Sequence, residues 1–143
     1  MTDSTAQVTW TGDLRSGQGS VEFERGALPA TAVSWAGRTG AATDGTTPEE
    51  LLAAAHAACF SMAFSSGLAR GGHPPTELRV TATATFDAEA VRITRIHLAV
   101  RGQVPGLDTA GFQGAARDAA ANCPVSKALH GNVEIDVEAE LSN

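Results

Sequence analysis

The stretch from Thr47 to Phe64 constrains the fold more than any other. Thr47-Pro48-Glu49-Glu50 is a helix start: Thr47 offers a capping hydroxyl, Pro48 suits the first helical position, and Glu50 stands where a capping box needs it. The two glutamates also put negative charge at the positive end of the helix macrodipole. In the run that follows, from Leu51 to Phe64, only His56 and Ser61 are conventionally polar. Such a helix has no polar face to turn toward water, so the sequence predicts a segment buried nearly all round at the centre of the fold. Gly71-Gly72, ahead of Pro74-Pro75, ends it.

The flanking segments read as strands and shorter helices. Gln7 to Trp10, Ser20 to Phe23 and Thr31 to Trp35 are β-prone runs separated by turns such as Ser16-Gly17-Gln18-Gly19, which predicts a small antiparallel sheet. A Gly-, Ala- and Thr-rich loop from Gly37 to Gly45 follows, with Arg38 its sole cation. Beyond the central helix, Leu78, Val80, Ala82, Ala84 and Phe86 alternate with polar residues. In the next strand, Val91 and Ile93 keep one phase and Ile96, Leu98 and Val100 the other, so a bulge is expected near Thr94-Arg95. Pro105 to Asp108 turns the chain into an alanine-rich helix in which Phe112, Ala115, Ala116 and Ala119 share a face. Pro124 interrupts it, with Asn122 or Cys123 capping a short helix through Leu129. Strict alternation from Val133 to Leu141 gives a last strand. The order βββ-α-ββ-α-β is that of an α+β fold, and 143 residues suit one domain, 1–143.

Charge and cysteine usage exclude several functions. A net charge of -6, with ten basic residues scattered along the chain, provides no patch for a phosphate backbone or an anionic membrane. No stretch of roughly 18 uninterrupted apolar residues is present, and Met1-Thr2-Asp3-Ser4 lacks a basic and then apolar start, so the cytoplasm is the expected compartment. Cys59 and Cys123 are too few for a secreted disulfide scaffold, and in a reducing compartment their pairing would be transient.

Those cysteines are the candidate chemical groups, although a cysteine on an apolar helix is more often a small buried hydrophobe. Cys123 stands at a predicted helix start, a setting that favours thiol chemistry. Cys59 lies deep inside its helix, where apolar neighbours raise a thiol's pKa, so it needs a cation to become reactive. Arg38 is the nearest guanidinium N-terminal to that helix, with a solvated loop arginine as the alternative reading. Glu49 lies ten residues before Cys59, about 15 Å along a straight helix. If Glu49 orients the arginine serving Cys59, it does so from a second subunit or across a sharp bend; otherwise it only favours the helix N-terminus. His56, three residues from Cys59, raises the options of a Cys-His pair, a metal site, or a buried histidine bonded to backbone or to a second chain. The last is preferred, because Cys59, Cys123 and His56 lack the close paired spacing of structural zinc. Neither a metal nor an organic cofactor is expected.

Two segments resemble the osmotically inducible protein C and organic hydroperoxide resistance family. The first runs from Gly45-Thr46-Thr47-Pro48-Glu49-Glu50-Leu51 to Ala55-His56-Ala57-Ala58-Cys59-Phe60-Ser61-Met62; the second is Asn122-Cys123-Pro124-Val125-Ser126-Lys127-Ala128-Leu129. His56 to Phe60 and Cys123 to Ser126 look like the OsmC branch. The resemblance implies an intertwined homodimer with active sites at its interface and its central helices buried. It also implies a thiol peroxidase acting on organic hydroperoxides in preference to hydrogen peroxide. In that family's pattern Cys59 is the peroxidatic thiolate, Cys123 resolves its sulfenic acid to a disulfide, and a dihydrolipoamide-like dithiol reopens it. Arg38 then stabilises the thiolate and Glu49 holds the guanidinium, with Arg15 in the Gly12-Asp13-Leu14-Arg15 turn as the fallback arginine. A dimer of the same fold that senses redox state or binds an apolar ligand is the non-catalytic alternative.

Overall fold

Three short strands come first: β1 (Ala6–Thr11), β2 (Gln18–Phe23) and β3 (Thr31–Val33), joined as one antiparallel sheet in that order. The computed structural model describes residues 1–143, and these strands lie in the first of two compact units, residues 1–51 and 52–143. Val8 faces Val21 across the β1–β2 pair. Val21 is buried, whereas Val8 and Trp10 on β1 are exposed.

β3 stops at Val33, short of the expected Trp35, because a helix cap takes over. The backbone of Ser34 is extended, and its hydroxyl accepts from the Gly37 N–H at 3.0 Å, which starts the one-turn helix α1 (Trp35–Arg38). The expected loop therefore begins after Arg38 and returns to β3. Gly45 has a φ of +78°, and a Cβ there would lie 2.3 Å from the Ala32 carbonyl oxygen, so only glycine fits. The next N–H, that of Thr46, donates to the same oxygen at 2.8 Å.

The central helix α2 (Pro48–Arg70) starts as expected, with one difference. The Glu50 N–H donates to the Thr47 hydroxyl at 2.9 Å, but the Glu50 carboxylate accepts from Thr46 at 2.5 Å. Half of the capping box forms; the nearer hydroxyl has captured the other half.

In the second unit α2 buries one face only. His56, Phe60, Phe64 and Leu68 point into the core, while Ala54, Ala55, Ala58 and Met62 are exposed. In the single chain the helix is thus half covered, not buried nearly all round. An 18-residue window of α2 has a mean hydropathy of 1.5, enough by length and composition to cross a bilayer, because its alanines and leucines outweigh its few polar residues. Its place beneath the sheet, with Phe60, Phe64 and Leu68 in the core, is that of a core helix.

The sheet of this unit contains β4 (Glu77–Asp87), β5 (Arg92–Gln103) and β6 (Glu134–Leu141), with β5 central, antiparallel to β4 and parallel to β6. Thr85 pairs with Arg95 and Phe86 with Ile93, which leaves Thr94 as the extra residue of the expected bulge. The parallel return to β6 requires a crossover. It is made by α3 (Thr109–Asn122), capped by the Asp108 carboxylate on the Gly111 N–H at 2.8 Å, and α4 (Pro124–Leu129), with Cys123 at its N-cap.

Ile96, Leu98 and Val100 of β5 meet Phe60 and Phe64 of α2 and Phe112, Ala116 and Ala119 of α3 in one core, which also contains Cys123. The Phe64 ring lies 5.5 Å from Phe60 and 5.0 Å from Phe112, tilted against each, a favourable aromatic arrangement. The opposite face of the sheet is polar: Arg95, His97 and Arg101 of β5 stand beside Asp136, Glu138 and Glu140 of β6.

Candidate active site

Both cysteines lie in the second unit, and the crossover brings them together. Cys59 is half-buried on α2; Cys123 is fully buried at the junction of α3 and α4. Neither is in a disulfide, and the two thiols lie close enough for Cys123 to perturb the Cys59 thiol. The Val125 N–H, in the first turn of α4, is near enough to Cys59 to favour its thiolate. Burial pushes the Cys59 thiol above its ordinary value, the contact with Cys123 adds to that, and the Val125 N–H opposes it. The unit therefore juxtaposes the two sulfurs but holds Cys59 toward its protonated form, in accord with the reading that an added cation is needed.

One turn away along the same helices lies a second cross-link. His56, with no exposed surface, places Nε2 2.8 Å from the Ser126 hydroxyl. The expected alternatives, backbone or a second chain, are corrected here: the partner is a side chain of the same unit. Burial pushes the His56 pKa down, so the ring is neutral, and its Nδ1 is buried without a hydrogen-bond partner. Sequence reasoning missed Ser126 as this partner and Val125 as a neighbour of Cys59. The available signal was the matched spacing, His56 three residues before Cys59 and Ser126 three after Cys123.

The other two expected residues meet in the first unit. Arg38, the last residue of α1, donates from Nη2 to Glu49 Oε1 at 2.7 Å and from Nε to the same oxygen at 3.0 Å. Nε also lies 3.3 Å from Oε2. The Glu49 side chain is only 8% exposed and the Arg38 side chain 29%, so the pair is sheltered and the guanidinium is fixed in orientation. Arg15 is exposed in the β1–β2 turn, and Glu49 takes Arg38 instead. No grouping of histidine, cysteine and carboxylate side chains suits a metal ion.

A family model described as OsmC-like protein matches residues 40–138, a span that contains Glu49, Cys59 and Cys123. The chain belongs to the OsmC-like family. It is similar to the peroxiredoxin OsmC of Escherichia coli (strain K12), 40% identical over 134 residues that cover 92% of this chain and 93% of that protein. The organic hydroperoxide resistance protein of Xanthomonas axonopodis pv. citri is 34% identical over 102 residues, 67% of this chain and 68% of that protein. Among solved structures, the organic hydroperoxide resistance protein OhrB of Bacillus subtilis aligns with a TM-score of 0.68 at 27% identity, over 95% of this chain and 98% of that one. An OsmC like protein from Mycoplasma pneumoniae aligns with a TM-score of 0.72 at 15% identity, over 99% of this chain and 100% of that one, a likeness of fold. The OsmC relative matches more of this OsmC-like chain, and at higher identity, than the Xanthomonas protein, in keeping with the OsmC branch read from the cysteine motifs.

Proposed function

We propose that this OsmC-like protein is a thiol peroxidase that reduces organic hydroperoxides, and hydrogen peroxide less well, through Cys59 and Cys123. The observation that supports it most is the pair of free, neighbouring thiols in a chain whose relatives are a peroxiredoxin and organic hydroperoxide resistance proteins. The Cys59 thiolate attacks the distal peroxide oxygen; the O–O bond breaks as the S–O bond of a sulfenic acid forms, and the departing alkoxide takes a proton from solvent to leave as the alcohol. The Cys123 sulfur then attacks Cys59, a disulfide forms and water leaves. A dithiol reductant, the class to which dihydrolipoamide belongs, reopens the bridge by two successive thiol exchanges and is itself oxidised to a disulfide.

In this reading the Arg38 guanidinium stabilises the thiolate and the departing alkoxide oxygen, and Glu49 keeps it aimed. Since Cys59 stands ten positions after Glu49 on one helix, the Arg38–Glu49 pair of one copy serves Cys59 of another, and the working form is a homodimer. The exposed apolar side chains of the single chain support a dimer: Val8, Trp10, Leu14 and Leu28 in the first unit, and Met62 beside Ala54, Ala55 and Ala58 in the second.

The test is steady-state consumption of cumene hydroperoxide and of hydrogen peroxide with dihydrolipoamide as reductant. Turnover is expected to favour the organic peroxide and to vanish in Cys59→Ser, while Cys123→Ser performs one oxidation and then stops. Undiminished cycling in either variant removes that cysteine from its role.

A further inference from the structure

The mechanism above leaves one buried polar pair unused. His56 has no exposed surface and Ser126 is 5% exposed, beside a core of aliphatic and aromatic side chains and Cys123. A polar ring in such a place is unfavourable unless its hydrogen bonds are made, and here Nδ1 has none. A leucine at position 56 would pack without that cost, so the histidine is not explained by stability alone. What the pair does have is a place. His56 and Cys59 are three residues apart on α2, and Cys123 and Ser126 are three apart across the start of α4. His56 meets Ser126 and Cys59 meets Cys123, so the two contacts are successive rungs between the same two segments, about 4.5 Å apart along α2.

A rung of fixed length constrains its neighbour. The Nε2 to Oγ separation of 2.8 Å sets the approach of the first turn of α4 to α2, and that turn contains the Val125 N–H that meets Cys59. A hydrogen bond is directional where apolar packing is not, so this pair can select one sliding position of α4 among several of similar packing. A disulfide needs such selection, because its geometry tolerates little displacement of the two Cα atoms.

We propose that the His56–Ser126 hydrogen bond is a positioning link that sets the register of α4 on α2. It thereby raises the effective concentration of Cys123 at Cys59 and governs how readily their disulfide closes. This assigns positioning roles to His56 and Ser126, neither of which touches the reacting atoms, and as a statement about the catalytic cycle it rests on the peroxidase reading. The link's own chemistry is independent of peroxide: two thiols give up two hydrogens to an oxidised dithiol in the medium, which becomes reduced as the protein disulfide forms.

The experiment uses the full-length protein and the variants Ser126→Ala, His56→Leu, the double variant, and His56→Gln, whose side-chain amide can still reach Ser126. Leu98→Ala, in the same core but on β5, is the control for general loosening. The first readout is the thiol–disulfide equilibrium of Cys59 and Cys123 in a buffer of reduced and oxidised dithiothreitol. Ser126→Ala and His56→Leu are expected to shift it toward the dithiol by tenfold or more, equivalent to about 30 mV for a two-electron couple. The double variant should shift it no further than either single one, and His56→Gln should recover most of the loss. An equilibrium within twofold of wild type in both single variants, or an equal shift in Leu98→Ala, overturns the proposal.

The second readout is a single turnover with cumene hydroperoxide. The link variants are expected to oxidise Cys59 within threefold of the wild-type rate while the sulfenic acid, trapped with dimedone, survives tenfold longer. Equal slowing of both steps overturns the positioning role. Should wild type close its disulfide in the dithiothreitol buffer yet ignore the peroxide, the peroxidase reading falls and the equilibrium shifts alone decide the link.

Discussion

Val91, in the turn between β4 and β5, has a φ of 52°, the left-handed region, and it is a β-branched residue with 68% of its surface exposed. Its side chain gains little from burial, and the backbone conformation costs about 1–2 kcal/mol. Val91→Gly is therefore expected to raise stability by about 0.5–1 kcal/mol after glycine's own entropy cost, read as a higher urea midpoint; a lowered midpoint would mean the valine makes contacts that outweigh its backbone. The same scale governs Cys59. Burial pushes its thiol up, so the thiolate fraction, and with it the rate of alkylation, rises with pH. If Arg38 supplies the opposing charge, Arg38→Ala moves the midpoint of that rate profile to higher pH, and the rate at neutral pH falls roughly tenfold for every pH unit the midpoint moves. Arg15→Ala is expected to leave the profile in place, and the reverse result reassigns the arginine.

At the scale of elements, the outer face of the second sheet is held by charge across the parallel β5–β6 pair. Asp136 accepts from Arg95 Nε at 2.7 Å and from His97 Nδ1. The Arg95 guanidinium, with a smaller contribution from His97, holds the Asp136 carboxyl at about 2, below its ordinary value of 3.8. The stabilisation is thus complete above pH 3.8 and is lost as pH falls through about 2. Because the Asp136 side chain is 35% exposed, solvent screening reduces the effect to about 1 kcal/mol or less. Asp136→Asn is expected to cost that much at pH 7, and the two proteins should converge in stability as the solution is acidified toward pH 2. A constant difference across that range would place the loss in packing or hydrogen bonding instead of charge.

At the scale of the whole molecule, the exposed apolar stripe on α2 is where the proposed homodimer can be tested. Met62 is 68% exposed, so in a solitary chain Met62→Glu would change stability little, within about 0.5 kcal/mol. In the proposed homodimer, if this stripe is what the second copy covers, the substitution would set a charge among apolar side chains. We expect the variant to elute as a monomer at concentrations where the parent is a dimer, measured by light scattering on a sizing column, and to lose peroxide turnover with it. A monomeric parent that is fully active would remove the need for a second copy.

The α+β class, the order of the strands and longer helices, the bulge at Thr94 and the two cysteine segments are all legible in the chain, because each is written in local signals: alternation, caps, proline positions and motif spacing; the one-turn helix α1 is not among them. The sequence also determined the family, since both segments keep residue type and order. Where the sequence reading ran long, at Trp35, a single local hydrogen bond from Gly37 to Ser34 outweighed strand propensity. Three-dimensional packing was needed to choose Arg38 for Glu49, to bring Val125 close to Cys59, and to pair His56 with Ser126. The residues joined in the last pair are 70 positions apart. Such contacts depend on how the crossover helices α3 and α4 settle on the core, and packing of that kind leaves no periodic trace in the chain.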